Sequence, residues 1–96
     1  MAGPPAHRLG DLCRGHCFNV RPNNEASPNV FINRIPAHRR GDGWPIHCCG
    51  DSCHDSVTVG GSSSVFINRR CATRIGDALS CGDACNTGSP NVFIGG

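Results

Sequence analysis

The apolar positions of this chain fall in short islands, not along a helical stripe. Val30-Phe31-Ile32, Val65-Phe66-Ile67 and Val92-Phe93-Ile94 are the clearest of them, and Ser, Pro, Asn, Gly and Arg dominate the stretches between. Short runs of β-branched and aromatic residues suit strands, and apolar residues do not recur every three to four positions as a helix requires. Ser27-Pro28-Asn29 and Ser89-Pro90-Asn91 lead into two islands, and Ser62-Ser63-Ser64 leads into the other. Proline fixes φ and asparagine tolerates unusual φ, so these leads are turns. Asn33-Arg34 and Asn68-Arg69 follow two of the islands directly and read as hairpin turns. The pattern predicts an all-β, turn-rich chain.

A second unit recurs with the first. It is PAHRLGD at Pro5–Asp11, PAHRRGD at Pro36–Asp42 and CATRIGD at Cys71–Asp77. Asp42 follows Ile32 by ten residues, and Asp77 follows Ile67 by ten. A constant gap predicts a rigid return strand, so each island, its turn and the following Ala-x-Arg-x-Gly-Asp form a β-hairpin. The gaps from Asp11 to Val30, Asp42 to Val65 and Asp77 to Val92, each Val being the first residue of the next island, are 19, 23 and 15 residues, and gaps of unequal length between fixed units are loops. Three such hairpins, in quasi-repeats at about 4–33, 36–68 and 71–95 of a single domain over 1–96, predict a compact pseudo-threefold body. The last island lacks a return strand, and the first PAHR lacks a leading island. The two complete each other if Val92-Phe93-Ile94 pairs with the segment around Pro5–Leu9, which brings the chain ends together.

Composition adds a constraint. Val, Ile, Leu and Phe make up only 19 of 96 residues, Gly and Pro number 13 and 7, and the net charge is +2. So thin a core calls for a staple, and eight cysteines and five histidines supply candidates. No apolar run approaches the 18 or so residues of a membrane span. MAGPPAHRLGD lacks the apolar stretch of a signal peptide, so synthesis in the cytoplasm is expected, and no effector domain is expected beyond the repeats. All nine basic residues are Arg, scattered from Arg8 to Arg74, which argues against a nucleic-acid-binding stripe.

The PAxRxGD-like and VFI units together resemble PAAR-repeat proteins, named for Pro-Ala-Ala-Arg. This family forms the tip of the central spike in contractile injection machines, namely the type VI secretion system and contractile phage tails. His7 and His38 stand where the family has its second Ala, and the third copy is Cys71-Ala72-Thr73-Arg74. The resemblance implies a small all-β cone with a structural metal near its vertex, typically zinc held by three His and one Cys. It also implies a structural, non-enzymatic role: one copy caps a trimeric β-helical spike protein through the face opposite the metal. The target membrane is then met only transiently, during piercing.

The loops offer matching donors. His16 lies five residues after Asp11, His47 five after Asp42, and Cys81 four after Asp77. A threefold body brings these points together, and His54 in the longest loop is the natural fourth donor, with Cys49 and Cys53 as alternatives. Three imidazoles and one thiolate suit a closed tetrahedral zinc site, and iron is the second candidate. His7 and His38, on return strands, are read as surface or hydrogen-bonded residues with no part in the metal site, and Trp44 as packing over the loop region or bracing the second metal loop. The spacings Cys13-x3-Cys17, Cys49-x3-Cys53 and Cys81-x3-Cys85 recur once per loop. A reducing cytosol disfavours disulfides during folding, so Cys13, Cys17, Cys48, Cys71 and Cys85 are read mainly as small packing residues. Cys49–Cys53 is the best candidate for a cross-link formed after release. The repeated pairs of Arg8, Arg39 and Arg74 with Asp11, Asp42 and Asp77 are read as surface ion pairs of little energetic weight. Two rivals stand beside the spike tip. A zinc-binding adaptor needs a Cys-x2-Cys or Cys2His2 spacing that is not evident, and a zinc hydrolase-like module needs an open coordination position with Glu25, Asp51 or Asp55 as base.

Overall fold

The computed structural model describes residues 3–96. Its strands are β1 (Phe31–Ile32), β2 (Ile35–Pro36), β3 (Gly43–Cys49), β4 (Ser52–Val57), β5 (Phe66–Ile67) and β6 (Arg70–Cys71). β1 pairs with β2, β3 with β4 and β5 with β6, all antiparallel. The described residues contain no helix, hence none long and apolar enough to cross a membrane. Asn33 and Arg34 have φ of 56° and 66°, and Asn68 and Arg69 have 53° and 67°. Two successive left-handed residues make the tight hairpin turn expected at these positions. The third hairpin closes through the chain ends: Pro5 pairs with Phe93, and the Ile94 N–H donates to the Pro4 carbonyl at 3.0 Å.

The pseudo-threefold axis is visible in the backbone. His7 N–H donates to Thr73 C=O (3.0 Å), His38 N–H to His7 C=O (3.2 Å) and Thr73 N–H to His38 C=O (3.4 Å), a closed ring of three bonds. Around it, Ala6, Ala37 and Ala72 each donate to the Val of an island, all at 2.9 Å. Only alanine-sized side chains fit so close to an axis where three strands meet, and all three Ala are fully buried. Gly10, Gly41 and Gly76 hold φ of 83°, 89° and 96°, the left-handed turn that each Gly-Asp requires.

The ring separates two apolar clusters. On one side Ala6, Ala37, Ala72, Ile67 and Ile94 pack with Val30, Ile32 and Val92. Alternation along each island turns its Phe outward. On the other side Trp44, Leu79, Cys13 and Cys85 form a smaller cluster, with Cys81 against it. Trp44 reaches the ring itself: its indole stacks on His7 at 5.4 Å between ring centres and donates to Thr58 Oγ1 at 2.9 Å.

His7 and His38 are fully buried, and both tautomers are set by their partners. Their Nδ1–H groups donate to the Thr87 and Glu25 carbonyls, both at 2.8 Å. Their Nε2 atoms accept from Asn23 Nδ2 (3.0 Å) and Thr58 Oγ1 (2.8 Å). Burial pushes both rings toward the neutral form, and for His38, with His7 adding to it, the pKa falls to about 4. A depressed folded-state value means stability that is present above the unfolded value near 6.5 and is lost as the pH falls toward 4. NMR titration is expected to find the His38 ring neutral at pH 5.5, where an exposed imidazole is mostly charged, and the His7 ring to titrate below an exposed one. A ring of His38 titrating near 6.5 would contradict this arrangement.

The structure corrects the sequence reading in three places. The longest connection is not a loop: it forms the longest hairpin of the chain, β3–β4, turning at Gly50-Asp51. The predicted Cys49–Cys53 link is absent, and the cross-links are Cys17–Cys49 and Cys48–Cys53. A two-residue turn sets Cys48, not Cys49, opposite Cys53, and Cys49 projects from the other face of β3 toward the first loop. The Arg–Asp pairs are not loose surface pairs. Arg39 and Asp42 are buried, and Arg8, Asp11, Arg74 and Asp77 are largely so.

Candidate metal centre

Four predicted donors converge. One ligand atom from each of His16, His47, His54 and Cys81 lies within 4.8 Å of the others. His47 and His54 sit directly opposite each other on β3 and β4. A bulge between Trp44 and His47 makes this possible. Three residues apart on a regular strand, the two side chains would face opposite sides; the extra residue restores the phase, and both are buried. His16 enters from the first loop and Cys81 from the last. The alternative fourth donors, Cys49 and Cys53, are held in cross-links.

The polar atoms are aimed at one point. His47 Nδ1–H donates to the Asn19 carbonyl at 2.9 Å, which leaves its Nε2 lone pair facing the cluster. That Nε2 is 2.7 Å from His54 Nε2 and 4.0 Å from Cys81 Sγ, and His16 Nε2 is 3.9 Å from the same sulfur. The short N···N distance is a hydrogen bond carrying one proton, which metal binding would displace. Tetrahedral zinc asks for N···N of about 3.3 Å and N···S of about 3.6 Å, given its usual bond lengths. The two N···S distances lie within about 0.4 Å of this and the N···N distance is about 0.6 Å short of it, so a modest shift of the rings fits the donor set to a tetrahedral cation. His16, His47, His54 and Cys81 would hold it, and the chemistry supplied is a four-point cross-link between loops.

Several supporting residues carry no repeat signal and escape a reading of the sequence. The Phe18 ring lies 4.8, 5.0 and 3.9 Å from those of His16, His47 and His54, roofing all three imidazoles. It is the one Phe outside the three islands, which is the only hint of a separate role. Asp83 is buried and ties the first loop to the last: it accepts from Gly15 N–H at 2.9 Å and from Arg14 N–H at 3.1 Å. Burial pushes the Asp83 carboxyl up, but the Cys13 thiol and the Ala84 and Gly15 N–H groups outweigh it and hold it below the ordinary range. Cys13, His47 and Asp83 also converge, yet this carboxylate is occupied by those donors. Glu25, a candidate base for hydrolysis, instead caps the Gly43 N–H at 2.7 Å.

The PAAR motif family matches residues 20–86. The chain belongs to this family. It is 40% identical, over all of its length, to the NAD(+)--protein-arginine ADP-ribosyltransferase Tre1 of Serratia proteamaculans. It is 35% identical over 74 residues, 71% of the chain, to the NAD(P)(+) glycohydrolase toxin Tse6 of Pseudomonas aeruginosa, and equally to the (p)ppApp synthetase toxin Tas1 of that species. These PAAR relatives are far longer: the chain spans only 19% of Tre1 and 17% of Tse6 and Tas1. The PAAR positions are those the fold uses most tightly, with Ala at the axis, His7, His38 and Thr73 in the ring, and Arg bound to the Asp three residues on.

Proposed function

We propose that this PAAR domain is the tip of a contractile injection machine, seated as one copy on the end of a trimeric β-helical spike and held rigid by zinc on His16, His47, His54 and Cys81. The observation that carries this reading is the closed three-bond backbone ring of His7, His38 and Thr73, because it gives a single chain threefold geometry. A trimeric β-helix ends in exposed strand edges, which need a cover. Three hairpins in one chain match three such ends, and residues 1–96 act as one capping unit. Toxin relatives favour the secretion-system form over the phage-tail form. Made in the cytoplasm and carried outward on the spike, the domain meets its target membrane only during piercing, and its role is mechanical.

The islands supply the contact. Phe31, Phe66 and Phe93, one per repeat, are 56%, 57% and 46% exposed, unusual for so large an apolar side chain. Co-expression with a trimeric β-helical spike protein is expected to give a complex with three spike chains to one copy of this chain by native mass spectrometry. A 3:3 complex, or no complex with any such trimer, rejects the cap. Replacing each Phe by Ser is expected to weaken capture roughly tenfold per site, and the triple variant to abolish it, with metal content unchanged. Undiminished capture by the triple variant would remove these rings from the interface.

A further inference from the structure

Four cysteines surround the metal cluster without belonging to it. Cys17 is joined to Cys49, and Cys48 to Cys53. Cys17, Cys48 and Cys53 are exposed, and Cys49 is half-buried. Each is a near neighbour of a donor in sequence: Cys17 follows His16, Cys48 and Cys49 follow His47, and Cys53 precedes His54. The Cys17–Cys49 link spans 32 residues and ties the first loop to β3, while Cys48–Cys53 spans 5 and staples β3 to β4. Together they join the three segments that carry the three histidines. Cys48 and Cys49 point to opposite faces of β3, so these sulfurs pair two by two and do not converge on a second ion. The unpaired Cys13 and Cys85 differ in kind: both are buried, and burial pushes the Cys85 thiol up to about 12 and the Cys13 thiol up as well. A buried neutral thiol is inert, whereas an exposed one reacts with an oxidant.

We infer that Cys17, Cys49, Cys48 and Cys53 form a redox-switched second staple, open as thiols where the protein is made and closed as two disulfides after it reaches an oxidising medium, where it keeps the histidine segments together when the metal is lost. This rests on the metal reading above. The oxidant is a small-molecule or protein disulfide. One thiolate attacks it and expels a thiol; the partner thiolate then attacks the mixed disulfide and expels the second. Each cross-link converts two S–H groups into one S–S bond, and the two protons and two electrons leave on the two expelled thiols. The closed links need no lone pair from a histidine, so acid or a chelator that strips the metal leaves them intact. They act by restricting the unfolded chain, and the longer span contributes more.

The test compares zinc-loaded protein kept reduced with the same protein oxidised by glutathione disulfide, each with and without EDTA. Peptide mass mapping of the oxidised sample is expected to recover Cys17–Cys49 and Cys48–Cys53, with Cys81 in no disulfide. In EDTA, the oxidised protein is expected to melt roughly 10 °C or more above the reduced protein. The double variant Cys17→Ser/Cys49→Ser is expected to lose most of that gain and still bind zinc when reduced. Equal melting of the oxidised and reduced proteins in EDTA, or cross-links that consume Cys81, would overturn the switch. Reduced protein that takes up no zinc would overturn the metal reading instead, whatever its cysteines do.

Discussion

Replacing His47 by Ala is expected to strip the protein of its metal and lower its melting temperature by 15 °C or more, roughly, under reducing conditions. A structural zinc contributes about 10–16 kcal/mol of apparent binding energy, as much as the whole stability of a small domain. Here the apolar core is unusually thin. The cluster on the ring's loop side holds only Trp44, Leu79, Cys13 and Cys85, and three of the five buried residues on the other side are alanines. His47 also has more to lose than its fellow donors: it faces His54 across the hairpin and anchors Asn19 of the first loop. Elemental analysis and a melt report both effects in one sample, and cobalt substitution tests the tetrahedral set through its visible bands. Ile46→Ser, at the adjacent and 60% exposed position, serves as the control and is expected to change neither. Loss of metal without loss of stability would mean that the ring and the ion pairs suffice to hold the fold.

How far the chain disclosed this structure depends on repetition. Features that recur were legible: the islands as strands, Asn-Arg as the turn after two of them, and His16, His47 and Cys81 as equivalent points after each Gly-Asp; the joining of the ends followed from the one island and the one PAHR left without a partner. His54 was legible only as the donor missing from a tetrahedral set. Features present once were hidden. The β3–β4 hairpin contains Pro45 and a bulge, and Gly50-Asp51 resembles the Gly-Asp that elsewhere ends a strand, so the segment read as loop. The cross-links followed from register, which cysteine spacing does not encode. Phe18, Asn19 and Asp83 act on the donors from elsewhere in the loops, with no sequence offset to connect them. His7 and His38 looked like ordinary strand residues because their partners lie far off in the chain: Asn23 is 16 residues from His7, Thr58 is 20 from His38, and Trp44 is 37 from His7.

Asp42→Ala is expected to cost about 3–5 kcal/mol, the range for breaking a buried ion pair from one side, and more than the same change at Asp11 or Asp77. The three carboxylates share one motif but not one environment. The Asp42 side chain is 0% exposed, against 11% for Asp11 and 10% for Asp77. Its Oδ2 accepts from Arg39 N–H at 2.9 Å and Nε at 2.8 Å, and its Oδ1 accepts from two further guanidinium nitrogens, Nη2 of Arg39 and Nη1 of Arg70, both at 2.9 Å. Removing the carboxylate leaves the Arg39 charge buried without a counter-ion. It also loosens the grip of Arg39 on Asn68 Oδ1, held at 3.0 Å, and through it on Ser27 at the foot of the neighbouring hairpin. For a domain of this size the loss corresponds to at least 10 °C in melting temperature, roughly, measured on zinc-saturated protein. Arg39→Met combined with Asp42→Leu is expected to recover part of it, because the cost lies mainly in the orphaned charge and not in the missing attraction. Equal, small effects of all three Asp→Ala changes, each below about 1 kcal/mol, would return these pairs to the class of ordinary surface salt bridges.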